Sequence, residues 1–241
     1  MQEKLPEGYI PVLDKGYVGL VSTMGTDLEV ANAARVSYDK LSKLNDDGTL
    51  SARDSNLINF LWNEGHTSPF RHATLSFEIY APLMVARQHW KYAVASTFVD
   101  DQNGWNESSR RYITEEPTFY IPSEWRSAPE NSKQGSGDPI DKLGSIMLSH
   151  ELLDHITVSE HLYEKALKMG VAPEQARLFL PAYGLYVRYR WTTSLHGVMH
   201  FLSQRLAYDS QKEIQSYASA IYNLTKDKFP FSLALIKENN D

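Results

Sequence analysis

The stretch "HATLSFEIYAP", residues 72–82, decides the fold class. Apolar Leu75, Phe77 and Ile79 alternate with polar residues, and this period of two is typical of a strand with one buried face. Pro82 is expected to end the strand, because proline cannot donate a hydrogen bond to a neighbouring strand. The next residues, "LMVARQHWKYAVAS", change to helical spacing. A half-buried strand that leads into a helix predicts a mixed α and β protein.

Three further elements are predicted before this strand. The segment "GYVGLVSTM", residues 16–24, predicts another strand, and "TDLEVANAARVSY" predicts a helix with Thr26 or Asp27 as its N-cap. In "SARDSNLINFLWNEGH", Ser51 is positioned to cap a second helix and Gly65 to end it. The apolar stripe expected on that helix comprises Leu57, Phe60 and Leu61.

The chain after residue 96 is predicted to contain a loop, three helices and a strand. Residues 126–139 are rich in Ser, Gly, Pro and Asn and predict a mobile loop. A helical pattern spans residues 140–169, and "YGLYVRYRWTTS" predicts a strand. "LHGVMHFLSQRLAY" and "SQKEIQSYASAIYNLTKDKF" predict helices. The apolar face of the last comprises Ile214, Tyr217, Ala218 and Ile221. No repeat or boundary divides the chain, so we predict one α+β domain over residues 1–241, with mixed strands and long helices.

Composition narrows the function. The 241 residues carry a formal net charge of −6, which argues against nucleic acid as a partner but allows one small anion in a local basic pocket. There is no cysteine, so disulfides, thiolate metal sites and cysteine nucleophiles are excluded. The charged start "MQEKLPEGYI" does not resemble a secretory signal, and no apolar run approaches the length of a membrane span. A cytoplasmic enzyme or binding protein is expected.

Histidine spacing was considered for a metal site. The segment "HELLDH", residues 150–155, resembles a zinc-protease signature, but its histidines are five apart and so about 140° apart around a helix. His196 and His200 have the i, i+4 spacing, yet Gly197 stands where the signature needs its general-base glutamate. We therefore predict no metal. A metal-dependent hydrolase that uses these two histidines with His66 stays open as an alternative.

Two polar segments could hold a small ligand. "NEGHTSPFRH", residues 63–72, is a turn that gathers two histidines, two hydroxyl groups and an arginine, although turn chemistry alone explains it about as well. "RQHWKY" places Arg87 and Lys91 on one helical face with Gln88 beside them, a pattern that is also typical of a solvated basic face.

Arginines supply the strongest indication of an anionic ligand. Arg177 and Arg205 stand in the apolar surroundings "EQARLFLP" and "FLSQRLAY", where an unpaired arginine is costly. In "WNESSRRY", residues 105–112, two arginines follow two serines, and guanidinium groups bind phosphate oxygens bidentately. Glu107 can accept from a sugar hydroxyl or orient an arginine. Together these segments indicate a mononucleotide, while a merely solvated loop remains the alternative.

Taken in order, these segments resemble the flavin-dependent thymidylate synthases. The similarity covers nearly the whole chain and rests on "AARVSYD", "GHTSPFRH", "RQHWKYAVAS", "NESSRRY", "ARLFLP", "YVRYRWTTS" and "FLSQRLAYDSQKEIQSYA". Several weak motifs in one order are more specific than any single motif. The resemblance implies a homotetramer of α+β subunits with FAD bound at the subunit interfaces. It also implies methylation of C5 of dUMP with methylenetetrahydrofolate, while NADPH reduces the flavin.

The resemblance implies two sets of site residues. The nucleotide site would comprise Gln88, Glu107, Ser108, Ser109, Arg110, Arg111, Arg177 and Arg205. The flavin site would comprise Ser37, His66, Ser68, Lys91, Ser194, His196 and His200. Arg205 would polarise the pyrimidine, and Ser109 and His66 would also have catalytic roles. The lack of cysteine agrees with this family, because the unrelated cysteine-dependent thymidylate synthases attack C6 with a thiolate, whereas a reduced flavin offers another route.

The chain departs from the family pattern in three places. Lys91, Tyr92 and Ala93 replace the family's Arg-His-Arg, and "TFVDDQNGW", residues 97–105, is an insertion. Positions that are often Asn, Arg and Asn in the family read Ser194, His196 and His200. These departures resemble a divergent branch, such as viral members or a uridylate methylase of nucleoside-antibiotic pathways, so we expect turnover of both dUMP and UMP. A nucleotide- and flavin-binding module that has lost activity is the alternative.

Overall fold

The computed structural model describes residues 5–94, 103–113, 115–129 and 135–238. Their strands form one antiparallel sheet in the order β1-β2-β3-β5-β4. The strands are Tyr9–Val12 (β1), Gly16–Met24 (β2), Thr74–Pro82 (β3), Gly104–Glu107 (β4) and Tyr186–Ser194 (β5). The predicted strands β2, β3 and β5 are confirmed, and β3 occupies the centre of the sheet, between β2 and β5.

The helices of the described residues include the six predicted ones in the predicted order and two that were not predicted, Pro173–Ala176 and Pro230–Glu238. They are Asp27–Arg35 (α1), Ala52–Asn63 (α2), Leu83–Val94 (α3), Lys142–Lys168 (α4), Pro173–Ala176 (α5), Leu195–Arg205 (α6), Lys212–Thr225 (α7) and Pro230–Glu238 (α8). Short 3-10 turns lie at Val36–Tyr38, Ser68–His72 and Arg177–Phe179. Helical spacing was also predicted for residues 95 and 96, which lie outside the described residues. The helices of the described residues include none that is both long and apolar enough to span a bilayer.

Polar side chains define where α1 and α2 begin. Thr26 Oγ1 accepts from Leu28 N at 3.2 Å, and Glu29 Oε2 accepts from Thr26 N at 2.7 Å, which completes a capping box at α1. Ser51 Oγ accepts from a backbone N–H of α2 at 3.2 Å. Gly65, just beyond the end of α2, has a φ of 70°, a conformation that glycine adopts without steric cost. Three of the predicted helix signals are therefore confirmed.

The buried face of α2 differs from the predicted stripe. Phe60 is 53% exposed, so its assignment to the stripe was wrong, whereas Ile58 is fully buried. Asp54 also lies on the buried face, where it pairs with Arg35 of α1, whose Nε donates to Asp54 Oδ1 at 2.7 Å. The hydroxyl of Ser51 donates to the other carboxylate oxygen at 2.7 Å. Asp54 can occupy the buried face because α1 supplies Arg35 as its partner. The periodicity of the sequence alone does not reveal such a partner.

One face of the sheet carries the main core. Helices α3, α6 and α7 pack against β2, β3 and β5 on this face. Leu75, Phe77 and Ile79 are fully buried there, as the alternation in β3 predicted. On the opposite face Glu78 accepts from Arg190 of β5 at 3.3 Å, with both side chains partly exposed to solvent. The arrangement leaves the ends of α3 and α6 at the margin of the core, where the candidate site lies.

Two segments, the insertion and the predicted loop, have more structure than the sequence indicated. The insertion at residues 97–105 ends in β4, which pairs with β5, while residues 97–102 lie outside the described residues. In the segment 126–139, Ser127 N donates to Asp138 O at 2.9 Å, and Arg126 and Pro139 form a β-bridge. Residues 130–134 of this segment lie outside the described residues, so the predicted mobility of its centre stays a prediction.

Candidate active site

A cavity of about 1060 Å³ lies beside the C-terminal end of α6, and we call it the central cavity. Gln88 of α3 and Arg205 of α6 line it, so the structure brings together two of the predicted nucleotide residues. Trp125 and Tyr120, from the segment before α4, add aromatic surface to the wall. The volume is large enough for a nucleotide-sized ligand with room for a second ring system.

Arg205 has one hydrogen-bond donor without a protein partner among the described residues. Its Nε is buried and has no hydrogen-bond partner among the described residues. Its Cζ lies 5.4 Å from the ring centre of Tyr92, close enough for a cation–π contact. Burial raises the pKa of Tyr92, and Arg205 partly opposes this rise. Because a buried donor without an acceptor is costly, Arg205 is suited to an acceptor atom of a ligand.

An aromatic cluster lies close to the Arg205–Tyr92 pair, since the ring of Phe201 is 5.1 Å from that of Tyr92. His89 is fully buried, with its Nδ1 3.0 Å from the hydroxyl oxygen of Tyr189 and its ring stacked on Phe201 at 4.4 Å. Burial, followed by the positive charge of Arg205, lowers the pKa of His89 to about 3. The imidazole is therefore neutral at physiological pH and adds no positive charge beside the guanidinium. No local sequence pattern marks His89, because its partners come from β5 and α6.

Polar side chains also connect across the wall of the central cavity. Gln88 Nε2 donates to Gln211 Oε1, Gln211 Nε2 donates to Glu213 Oε2 at 2.9 Å, and Arg126 pairs with the same carboxylate. Gln211, Glu213 and Arg126 were not among the predicted site residues. Gln88 and Gln211 are 123 positions apart, so no local pattern could have linked them.

The remaining predicted nucleotide residues line a different cavity. This side cavity, of about 530 Å³, is bordered by Glu107, Ser108, Ser109, Arg110, Arg111 and Arg177. No described residue lines both cavities. The resemblance implies one nucleotide site for all eight residues, whereas within one chain they form a group of two and a group of six.

The side cavity offers cationic groups near the surface. Ser108 Oγ accepts from Arg188 N at 3.0 Å, which anchors this segment to β5. Ser109 Oγ accepts from Arg111 Nε at 3.2 Å and thereby orients that guanidinium. Arg110 is turned inward, where it donates to a backbone oxygen and lies 5.7 Å from the ring centre of Tyr163. Arg111 and Arg177 are exposed and are therefore the cations available to an anion from solution.

Five of the predicted flavin residues, which we call the flavin strip, lie at the surface, and the other two are buried. Ser37, His66, Ser68, Lys91 and His200 are exposed. The ring of His66 lies 6.0 Å from that of Phe60, and the ring of His200 lies 5.7 Å from that of Tyr92. His196 is only 8% exposed, with its ring centre 6.4 Å from that of Trp62.

The donors of this strip fit a flavin. Ser68 supplies a hydroxyl group, and Lys91 and the exposed imidazoles supply N–H groups for phosphate or ring oxygens. Ser194 differs from the others, because it is fully buried and its hydroxyl accepts from Gly197 N at 3.2 Å as the cap of α6. Ser194 therefore defines the start of α6, the helix that carries His196 and His200.

A metal centre finds no support in the described residues. They contain no group of three or more histidine, aspartate or glutamate side chains placed to hold a metal ion. His150 and His155 are exposed on α4, as expected for a solvated helix. The alternative of a metal-dependent hydrolase therefore has no structural basis within this part of the chain.

Comparison with known proteins decides the family. The family described as "Thymidylate synthase complementing protein" matches residues 19–231. The chain belongs to this family. A flavin-dependent thymidylate synthase of Thermus thermophilus is 37% identical over 231 residues, which cover 95% of this chain and 78% of the relative. The corresponding protein of Thermosipho africanus is 36% identical and is matched over 90% of its length, with 92% of this chain covered. The resemblance inferred from the ordered motifs is confirmed.

Solved structures confirm the fold class. The UMP/dUMP methylase PolB from Streptomyces cacaoi, bound with 5-Br UMP, superposes with a TM-score of 0.75 at 26% identity, over 93% of this chain and 95% of that one. Its complex with 5-Br dUMP gives a TM-score of 0.76 at 27% identity, over 96% and 98% of the two chains. This flavin-dependent thymidylate synthase family member therefore shares its α+β architecture with a methylase solved with both sugar types.

Proposed function

We propose that this protein is a flavin-dependent methyltransferase that acts on C5 of the uracil ring in both dUMP and UMP. The observation that carries the proposal is Arg205, which lines the central cavity with a buried and unpartnered Nε. The family membership and the two PolB complexes support the substrate class. As expected from the sequence, the substrate is a small nucleotide and not a nucleic acid.

Each predicted group has a distinct part in the proposed reaction. Arg205 hydrogen-bonds a pyrimidine carbonyl and stabilises the negative charge that develops there when C5 becomes nucleophilic. Arg111 and Arg177 bind the phosphate, with Ser109 orienting Arg111. FAD supplies hydride chemistry when bound, with NADPH as its reductant and methylenetetrahydrofolate as the one-carbon donor. The five exposed residues of the flavin strip hold the flavin. A cytoplasmic location remains the expectation from the sequence.

The homotetramer that the resemblance implies would account for the division of the nucleotide residues between two cavities. The base would lie in the central cavity of one subunit, and the phosphate would reach the side cavity of another. The exposed apolar residues of α4 support such an assembly: Leu143 is 68% exposed, Met147 55% and Val158 58%. Several exposed apolar residues along one helix are typical of a protein interface.

Purified protein tests the proposal directly. It should be yellow, or turn yellow with added FAD, and it should convert both dUMP and UMP in direct competition when NADPH and methylenetetrahydrofolate are present. Failure to bind FAD in titration would contradict the enzyme assignment. Binding of FAD and nucleotide without turnover would favour the alternative of a module that has lost activity. Strict use of dUMP would remove UMP from the proposal.

A further inference from the structure

Four polar side chains form a hydrogen-bonded chain along the wall of the central cavity. Arg126 donates to Glu213 Oε1, and Gln211 Nε2 donates to Glu213 Oε2 at 2.9 Å. Gln88 Nε2 then donates to Gln211 Oε1. All four residues line the cavity, and Glu213 is only 4% exposed. The chain connects the segment before α4 with the start of α7 and with α3.

The charge of Glu213 determines which way the two glutamine amides of this chain point. Burial alone would raise the pKa of Glu213, but hydrogen bonds from Arg126 and Gln211 lower it below its ordinary value. The carboxylate is therefore ionised near neutral pH and can only accept hydrogen bonds. Gln211 must turn its NH2 group toward Glu213, because the reverse orientation would oppose two acceptors. Its carbonyl oxygen is then left facing Gln88.

The orientation of the Gln88 amide is fixed in the same way. Since the facing oxygen of Gln211 can only accept, Gln88 must turn its NH2 group toward it. The carbonyl oxygen of Gln88 remains, and it accepts no hydrogen bond from the described residues. An isolated glutamine amide can rotate by half a turn and offer either group. Here that rotation would break the bond to Gln211 and oppose two oxygen atoms.

We propose that Glu213, acting through Gln211, holds Gln88 as a hydrogen-bond acceptor and so selects a pyrimidine that carries a hydrogen at N3. Uracil donates an N–H at this position, whereas cytosine presents a lone pair. A lone pair that faces the carbonyl oxygen of Gln88 leaves two acceptors opposed without a donor between them, which is costly. The inference rests on the proposed function and makes Gln211 and Glu213 positioning residues.

Binding of dUMP and dCMP to the FAD-supplied protein, measured by calorimetry, tests the inference. The wild type should bind dUMP at least about 100-fold more tightly than dCMP, since a site built around a donor rejects a ligand that lacks it. Glu213→Gln keeps the shape but allows the amides to turn either way, so the dUMP/dCMP affinity ratio should fall by about tenfold or more. Gln211→Met also interrupts the chain, while Arg126 keeps its carboxylate partner. It should lower the dUMP/dCMP affinity ratio by a similar factor. It therefore provides the test if Glu213→Gln folds poorly. Lys212→Met, an exposed change beside Gln211, should leave the ratio unchanged.

Different failures of this experiment are distinguishable. Equal losses of affinity for both nucleotides in folded variants would overturn the inference and show that Gln211 and Glu213 only support the cavity wall. Equal binding of dUMP and dCMP by the wild type would also overturn it. If the wild type binds dUMP but both variants have the same dUMP/dCMP affinity ratio as the wild type, the inference is wrong. The proposed function then still stands. A wild type that binds neither nucleotide would overturn the proposed function and the inference with it.

Discussion

The guanidinium group of Arg205 lies over the ring of Tyr92, with Cζ 5.4 Å from the ring centre. By the resemblance, Tyr92 stands where the family pattern has a histidine. Its ring therefore places an aromatic face next to Arg205. The nearby imidazole of His89 is neutral and adds no competing charge. Two predictions concern this pair.

Arg205→Lys should impair turnover more than nucleotide binding. The ammonium group keeps the charge but loses the planar fork that donates to a carbonyl, so kcat should fall roughly 100-fold while the dissociation constant for dUMP changes much less. Steady-state kinetics and calorimetry measure the two effects. Arg53→Lys, a change at an exposed arginine of α2, is the matched control. Equal losses in both quantities would make Arg205 a simple binding residue.

Tyr92→Leu should lower kcat, whereas Tyr92→Phe should retain most of it. Phenylalanine keeps the ring that faces the guanidinium, and leucine removes it, which costs about 1 kcal/mol of cation–π energy or roughly fivefold in rate. The comparison of kcat for the two variants isolates the ring from the hydroxyl. Similar kcat values for both variants would show that the ring does not orient Arg205.

Arg111→Ala should weaken nucleotide binding by about 1.5–3 kcal/mol, the range for a hydrogen bond to a charged group. FAD binding should change much less, because Arg111 borders the side cavity and not the flavin strip. Titration with dUMP and with FAD measures both affinities, with Arg53→Ala as the control. Unchanged affinity for dUMP would make "WNESSRRY" a surface loop.

Asp54→Asn should destabilise the fold by about 3 kcal/mol, since it leaves the buried Arg35 without its anion. Burial alone would raise the pKa of Asp54, but hydrogen bonds from Ser51, Ser42 and Arg35 lower it below its ordinary value. Its contribution is therefore complete above the unfolded pKa of about 3.9 and is lost as the pH falls through the lower folded value.

Denaturant unfolding at several pH values measures this effect of Asp54. The difference in unfolding free energy between wild type and Asp54→Asn should stay constant above about pH 5 and shrink in more acidic solution. Asp46→Asn, in the exposed loop before α2, should show no difference at any pH. A pH-independent gap between wild type and Asp54→Asn would mean that lost packing, and not charge, causes the destabilisation.

Met147→Lys should disrupt the proposed homotetramer. Met147 is 55% exposed on α4, and a charge there would be buried without a partner if this face is an interface. Light scattering of the eluted protein measures the mass in solution. Asp46→Asn, in the exposed loop before α2, gives the same one-unit change of net charge away from α4 and is the control. A tetramer that survives Met147→Lys would place the interface elsewhere.

The sequence by itself determined the elements whose signals are local. The alternation in β3, the capping residues Thr26 and Ser51, and the long helix α4 were all readable, because each depends on neighbours within a few positions. β1 and β4 were missed, since each is a four-residue strand, too short for a clear alternation. They become strands through hydrogen bonds to β2 and β5.

Only the tertiary structure decided how the candidate site is built. The sequence indicated which arginines and glutamines could bind a nucleotide, but it grouped Gln88 and Arg205 with residues that line another cavity. It also left out Gln211 and Glu213, because the contact between Gln88 and Gln211 joins positions 123 residues apart. Composition and motifs report which chemical groups are present. The direction in which an amide points depends on the partner that the fold places beside it.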